Sequence, residues 1–128
     1  MKEVIHTDDA PSAIGSYSQA IRANHMVYIS GQIGLNPKNE SLQDLSEVAI
    51  SEQVSQVFQN LAAICQEAGG SLNEIIKLTV YVLNLDTMKL VNEAIERAFD
   101  EPYPARLAVG VAALPKGAGV EIDAILAS

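Results

Sequence analysis

With 128 residues, 48% of them apolar and 19% charged, the chain has the size of one domain and the composition of a folded one, which excludes a disordered chain and two independent cores. Sixteen acidic residues against eight Lys and Arg give a net charge of -8, which repels phosphate backbones and sets nucleic acid aside as a partner. The single cysteine, Cys65, allows no internal disulfide and fits a reducing, cytoplasmic setting, and no apolar run approaches the roughly 18 residues that a membrane helix needs.

In chain order, residues 1–11 carry acids and no apolar run, so they read as neither a secretory signal nor a transit peptide. Residues 2–6, 17–22 and 26–33 predict three short strands, the last two joined by a turn at Ala23, Asn24 and His25. A polar loop follows, broken by Asn36-Pro37 and Asn39. Over residues 46–68, Ile50, Val54, Val57, Leu61, Ile64 and Ala68 recur every three or four positions, which predicts a long amphipathic helix. Asp44 and Glu47 offer a capping box at its start, and Gly69-Gly70 a left-handed stop. Alternation from Ile76 to Val82 predicts a strand, and Asp86 an N-cap for a second helix with the stripe Met88, Val91, Ile95 and Phe99. Two more strands are predicted over residues 105–113 and 120–126. The Gly-rich stretch between them, residues 115–119, lacks the Gly-Lys-Ser/Thr order of a phosphate loop and reads as a hairpin connection.

The order βββαβαββ makes residues 1–128 a single α+β domain whose two helices cover one sheet face. Placing Leu107, Val109 and Val111 toward the helices leaves Arg106, Ala108, Gly110 and Ala112 on a second face of small residues, suited to packing against another copy. The high apolar fraction points the same way, to a homo-oligomer with clefts between subunits.

Only three arginines are present. Arg97 on the polar side of the second helix and Arg22 beside a turn read as solvated charges. Arg106 differs, because Tyr103-Pro104-Ala105 leads directly into its strand and a guanidinium held there suits a two-point carboxylate ligand; an intersubunit salt bridge is the bland alternative. Glu121 and Asp123 both leave the core face of the last strand, either as solvated edge charges or, for Glu121, as a base or water holder beside Arg106. Tyr17, Ser30 and Gln32 are further candidates to line a cleft, whereas Cys65 belongs to the apolar stripe of its helix. His6, His25 and Cys65 are scattered singly, so no metal ligand set is expected.

The segments Ala13-Ile14-Gly15-Ser16-Tyr17-Ser18-Gln19-Ala20, Ser30-Gly31-Gln32-Ile33, Tyr103-Pro104-Ala105-Arg106, Leu114-Pro115-Lys116 and Val120-Glu121-Ile122-Asp123-Ala124, with Val91-Asn92, resemble the RidA/YjgF family of small trimeric proteins in order and spacing. The resemblance implies a chorismate mutase-like fold, a mixed sheet with two helices on one face, three copies closing a barrel. It further implies hydrolytic deamination of 2-imino and enamine acids to 2-oxo acids and ammonia, with no cofactor. On that pattern Arg106 clamps the substrate carboxylate, Glu121 holds the attacking water with a backbone carbonyl just after the arginine, and Tyr17, Ser30, Gly31 and Ala108 line the cleft. The sequence departs from the common pattern at Ala108, where many members have cysteine, and at Gly110, where many have an acid. The alternative from another class is a non-catalytic trimer that binds 2-oxo acids in the same cleft. A ribonuclease reading has also been attached to the family; the charge of -8 and the lack of a His pair argue against it here.

Overall fold

The computed structural model describes residues 1–38 and 44–127. Strands β1 (Lys2–Ile5), β2 (Ala20–Ala23) and β3 (Met26–Gln32) are followed by helix α1 (Ile50–Glu67), β4 (Ile75–Val82), α2 (Met88–Ala98), β5 (Ala105–Gly110) and β6 (Val120–Ala127). This is the expected element order, with short 3-10 turns at Leu72–Glu74, Leu85–Thr87 and Pro115–Gly117 added. The strands form one mixed sheet in the order β1-β2-β3-β6-β4-β5; β4 and β5 run parallel across α2, and the other pairs are antiparallel. Both helices lie on one face, the α+β architecture expected of a chorismate mutase-like fold. Asn39, one of the expected loop breakers, lies outside the described residues.

The core is the seam between that face and the helix stripes. Val54, Val57, Leu61 and Ile64 of α1 and Val91 and Ile95 of α2 pack on Leu78, Val80, Val82, Ile122, Ala124 and Leu126. Leu61, Ile64 and Leu78 are fully buried, each worth about 1.5–3 kcal/mol relative to exposure. Phe58 and Phe99 meet edge to face at 5.5 Å and join the two helices. The α1 stripe also holds two buried amides. Gln53 donates to the carbonyls of Leu45 and Val48 and accepts from the Gly119 N–H, and Asn60 donates to the carbonyls of Ile33 and Leu35. These contacts fix the loops on either side of the last strand's entry against the helix, satisfying carbonyls that water does not reach.

Several local expectations are corrected. The second strand begins only at Ala20, so Tyr17 precedes it; the Gln19 carbonyl still accepts from Ser30 N–H, while the Gln19 side chain turns inward to Thr7, Ala10 and Pro11. The Asp44–Glu47 capping box does not form, because the Asp44 carboxylate accepts from both N–H and hydroxyl of Ser46 and α1 starts later, after Ala49. At the other end the expected stop is observed: Gly69 takes φ +90°, its N–H reaches the Gln66 carbonyl, and the Gly70 N–H reaches that of Cys65. Asn84, not Asp86, is the side chain that accepts from a backbone N–H ahead of α2, and it caps the 3-10 turn before the helix. The connection over residues 115–119 is not a hairpin, since β4 lies between β5 and β6.

The largest correction concerns β5. Arg106, Ala108 and Gly110 pair with Leu78, Val80 and Val82, so they point to the helix side. Leu107 and Val109 face the uncovered side, where Leu107 is exposed together with Val4 and Tyr28. The error has a simple source: on an edge strand whose outer face is left uncovered, large apolar residues do not mark the core. The uncovered face is therefore more apolar than the small-residue stripe that was expected.

Candidate active site

Glu121 leaves the uncovered face of β6, paired with Tyr81 of β4, and is half-buried. Between Ile29 and Gln32 the β3–β6 register slips, so Ser30 and Gly31 form a bulge beside it, and the bare Gly31 leaves the space that the Glu121 carboxylate occupies. The Ser30 hydroxyl donates to the Ser18 carbonyl at 2.6 Å, which ties the segment carrying Tyr17 to this bulge. Tyr17 is exposed, and its hydroxyl accepts from the Ile14 N–H at 3.3 Å. Together Tyr17, Gly31, Gln32, Pro115, Lys116 and Glu121 line a cleft of about 370 Å³. Burial, and then the negative charge of Asp123, push the Glu121 carboxyl above its ordinary value. Asp123 stands within 3.5 Å of the Tyr81 hydroxyl, and its charge raises the Tyr81 phenol as well.

Arg106 occupies a different place. It is exposed at the start of edge strand β5, and its Nη1 donates to Oδ1 of Asn92 on α2. No carboxylate lies within 4 Å of it among the described residues, in a chain with twice as many acids as bases. A second cleft of about 440 Å³, lined by Leu78, Asn92, Ile95, Glu96, Tyr103 and Arg106, opens beside it.

Within one chain the expected site is thus divided. Tyr17, Ser30, Gly31 and Glu121 are brought together, whereas Arg106 and Ala108 are on the opposite face, with β4 between their strand and that of Glu121. The strands of Glu121 and Arg106 are not neighbours, so the condition under which Glu121 would reach a ligand held by Arg106 within one chain is not met. Gln32 is buried, with its amide donating to the Ser30 carbonyl, and Ala108 is half-buried on the helix side. Arg97 is exposed as expected, but Arg22 is no solvated charge: Nε donates to Glu3 at 2.8 Å, and Nη2 to the Ala68 carbonyl at the end of α1 at 2.6 Å. Among the described residues no group of three His, Cys, Asp or Glu gathers as a metal site requires, and no helix is long and apolar enough to cross a membrane. Gln53 escaped the sequence reading, and Asn92 and Gln19 entered it only within the segments that resemble the family, with no role given to either. For Gln53 a signal existed, since it falls three residues after Ile50 on the apolar stripe.

A family model described as endoribonuclease L-PSP matches residues 7–128 of the chain. The chain belongs to the RidA/YjgF family. It is 42% identical over 125 residues to a mouse protein named 2-iminobutanoate/2-iminopropanoate deaminase, a match covering 98% of this chain and 90% of the mouse protein. Among solved structures, RidA from the Antarctic bacterium Psychrobacter sp. superimposes with a TM-score of 0.92 at 47% identity, covering 98% of this chain and 99% of that one. TdcF of E. coli, solved with bound serine, gives a TM-score of 0.90 at 36% identity, with 98% of each chain covered.

Proposed function

We propose that this RidA/YjgF protein hydrolyses 2-imino acids, such as 2-iminobutanoate and 2-iminopropanoate, to 2-oxo acids and ammonia at sites shared between neighbouring copies of a homotrimer. The deaminase names of its relatives support the reaction class. The observation that carries the reading is the presence in one chain of two incomplete half-sites: a cleft holding a half-buried carboxylate, and an edge arginine without a carboxylate partner among the described residues. The uncovered apolar face, with Val4, Tyr28 and Leu107 exposed, supplies the surface through which copies would associate.

In this scheme Arg106 of one copy binds the substrate carboxylate by two parallel N–H donors. Glu121 of the next copy holds a water against the iminium carbon and accepts its proton as the C–O bond forms. The resulting carbinolamine loses its nitrogen as ammonia once that nitrogen is protonated, and the C–O oxygen becomes the carbonyl of the 2-oxo acid. A protonated imine is already electrophilic, so positioning and an oriented water carry the reaction without a covalent nucleophile. Ala108 supplies backbone next to the carboxylate clamp.

Arg106→Lys tests the assignment. Lysine keeps the charge but loses the planar two-point contact, so a folded trimer is expected to lose most 2-oxo acid binding and nearly all turnover. Imine hydrolysis, followed by ammonia release, and oligomer mass are measured on the same preparation. A trimeric Arg106→Lys protein with near-normal deamination would sink the clamp. Wild-type protein that binds 2-oxo acids yet releases no ammonia from a freshly generated imine would establish the non-catalytic binding protein instead.

A further inference from the structure

Arg106 is held by an amide rather than by an acid. Its strand lies at the sheet edge, where no strand beyond β5 packs against the side chain, so an arginine there has many rotamers to lose before it can grip a ligand. The one side-chain hydrogen bond that Arg106 makes among the described residues is Nη1 to Oδ1 of Asn92. Asn92 is well placed for this: it follows Val91, which is fully buried, and precedes Ile95 on the stripe that anchors α2 to the sheet. The amide therefore stands on a rigid support, and it takes up one of the five guanidinium donors while leaving the rest.

Its neutrality matters as much as its position. Glu96, one turn further along α2, lines the same cleft, yet no ion pair joins it to Arg106. An acid at position 92 would orient the guanidinium equally well but cancel its charge, and an incoming carboxylate would have to compete with it. An amide oxygen orients the fork and leaves the positive charge uncompensated.

We infer that Asn92 is a positioning residue that holds the Arg106 guanidinium in its carboxylate-receiving orientation without neutralising it. The inference rests on the reading of Arg106 as the substrate clamp.

The test compares Asn92→Ala with Asn92→Asp, measuring 2-oxobutanoate affinity, KM and kcat for the imine, melting temperature and oligomer mass. Loss of one hydrogen bond that only orients should weaken affinity and raise KM by about tenfold, with a smaller fall in kcat. Asn92→Asp should retain the tether and the melting temperature, yet bind the 2-oxo acid more weakly than Asn92→Ala does, an order that a purely structural role would reverse. Two results overturn the inference: unchanged affinity and KM in Asn92→Ala, or Asn92→Asp binding as well as wild type. If Asn92→Ala does not fold, Asn92→Asp alone decides, since it preserves size and hydrogen bond. Arg106→Lys serves as the control that separates the two claims. If it too binds and turns over normally, the clamp itself is wrong; if it loses both while the Asn92 variants keep both, only the positioning role falls.

Discussion

Gly31 and Glu121 stand so close that a Cβ built on Gly31 would lie 2.5 Å from Oε2 of Glu121 and 3.0 Å from its Cδ. Such distances are below van der Waals contact, so the absence of a side chain at 31 is what allows the carboxylate to sit over the bulge. Gly31→Ala should leave the melting temperature near that of wild type, because the displaced group is the end of a flexible side chain. Turnover should fall about 100-fold, the usual consequence of moving a catalytic group by an ångström. An undiminished rate would mean that Glu121 has no need of this position.

Glu121→Gln keeps size and removes the proton acceptor. Turnover should fall about 100- to 10,000-fold while 2-oxo acid binding changes far less. The wild-type enzyme should also lose activity as pH drops through the raised Glu121 value, placing the acid limb above the ordinary 4.5, and the variant should lack that limb. For stability the sign is opposite to the common carboxylate case. A folded-state value raised above the unfolded one contributes stability that is full below the unfolded value and lost as pH rises through the folded one. The variant should therefore match or exceed wild type in melting temperature at neutral pH, with the difference shrinking as pH falls toward 4.5. An unchanged rate would demote Glu121 to an edge charge.

Because Arg106 and Glu121 lie on opposite faces of one chain, two inactive variants should rescue each other. If Arg106→Lys and Glu121→Gln chains are unfolded together and refolded as mixed trimers, about one interface in four then joins an intact Arg106 to an intact Glu121. Activity near a quarter of wild type is expected. A mixture no more active than its components would place both residues in the same site of a single chain.

Cys65 is fully buried and its thiol is pushed up to about 12 by desolvation. Thiol reagents and chelators should leave deamination intact. Cys65→Ser should retain turnover but lose about 1–3 kcal/mol of stability by placing a hydroxyl in the apolar stripe. A large rate loss in the folded, chelated protein would reveal a ligand set that the residues do not advertise.

The element order and both helices were legible because periodicity records which face of an element is buried, as Val54, Val57, Leu61 and Ile64 do on α1. The Gly69 stop was legible because its φ of +90° excludes most other residues. What misled was any inference that depended on strand neighbours. Consecutive strands β5 and β6 read as a hairpin, and whether the strands of Arg106 and Glu121 were neighbours stayed open, because sequence alone does not tell that β4 lies between them. The facing of β5 failed for a related reason: Leu107 is a large apolar residue that stays exposed on the uncovered face of the sheet, so its hydrophobicity did not mark the core. Asn92 was noticed only through the Val91-Asn92 match; nothing in its position pointed to the bond with Arg106, since one half-buried amide on a helix resembles many others.

The sheet order also bears on how the chain is made. The last strand, β6, is the sole bridge between β3 and β4, with β1, β2 and β3 on one side of it and β4 and β5 on the other. Until residues 120–127 have left the ribosome, a growing chain has a meander and a βαβ unit but no continuous sheet beneath its helices. The sheet is therefore closed only once β6 is available, and a chain stopped between Gly110 and Val120 holds two unjoined half-sheets with open edges rather than a shortened sheet.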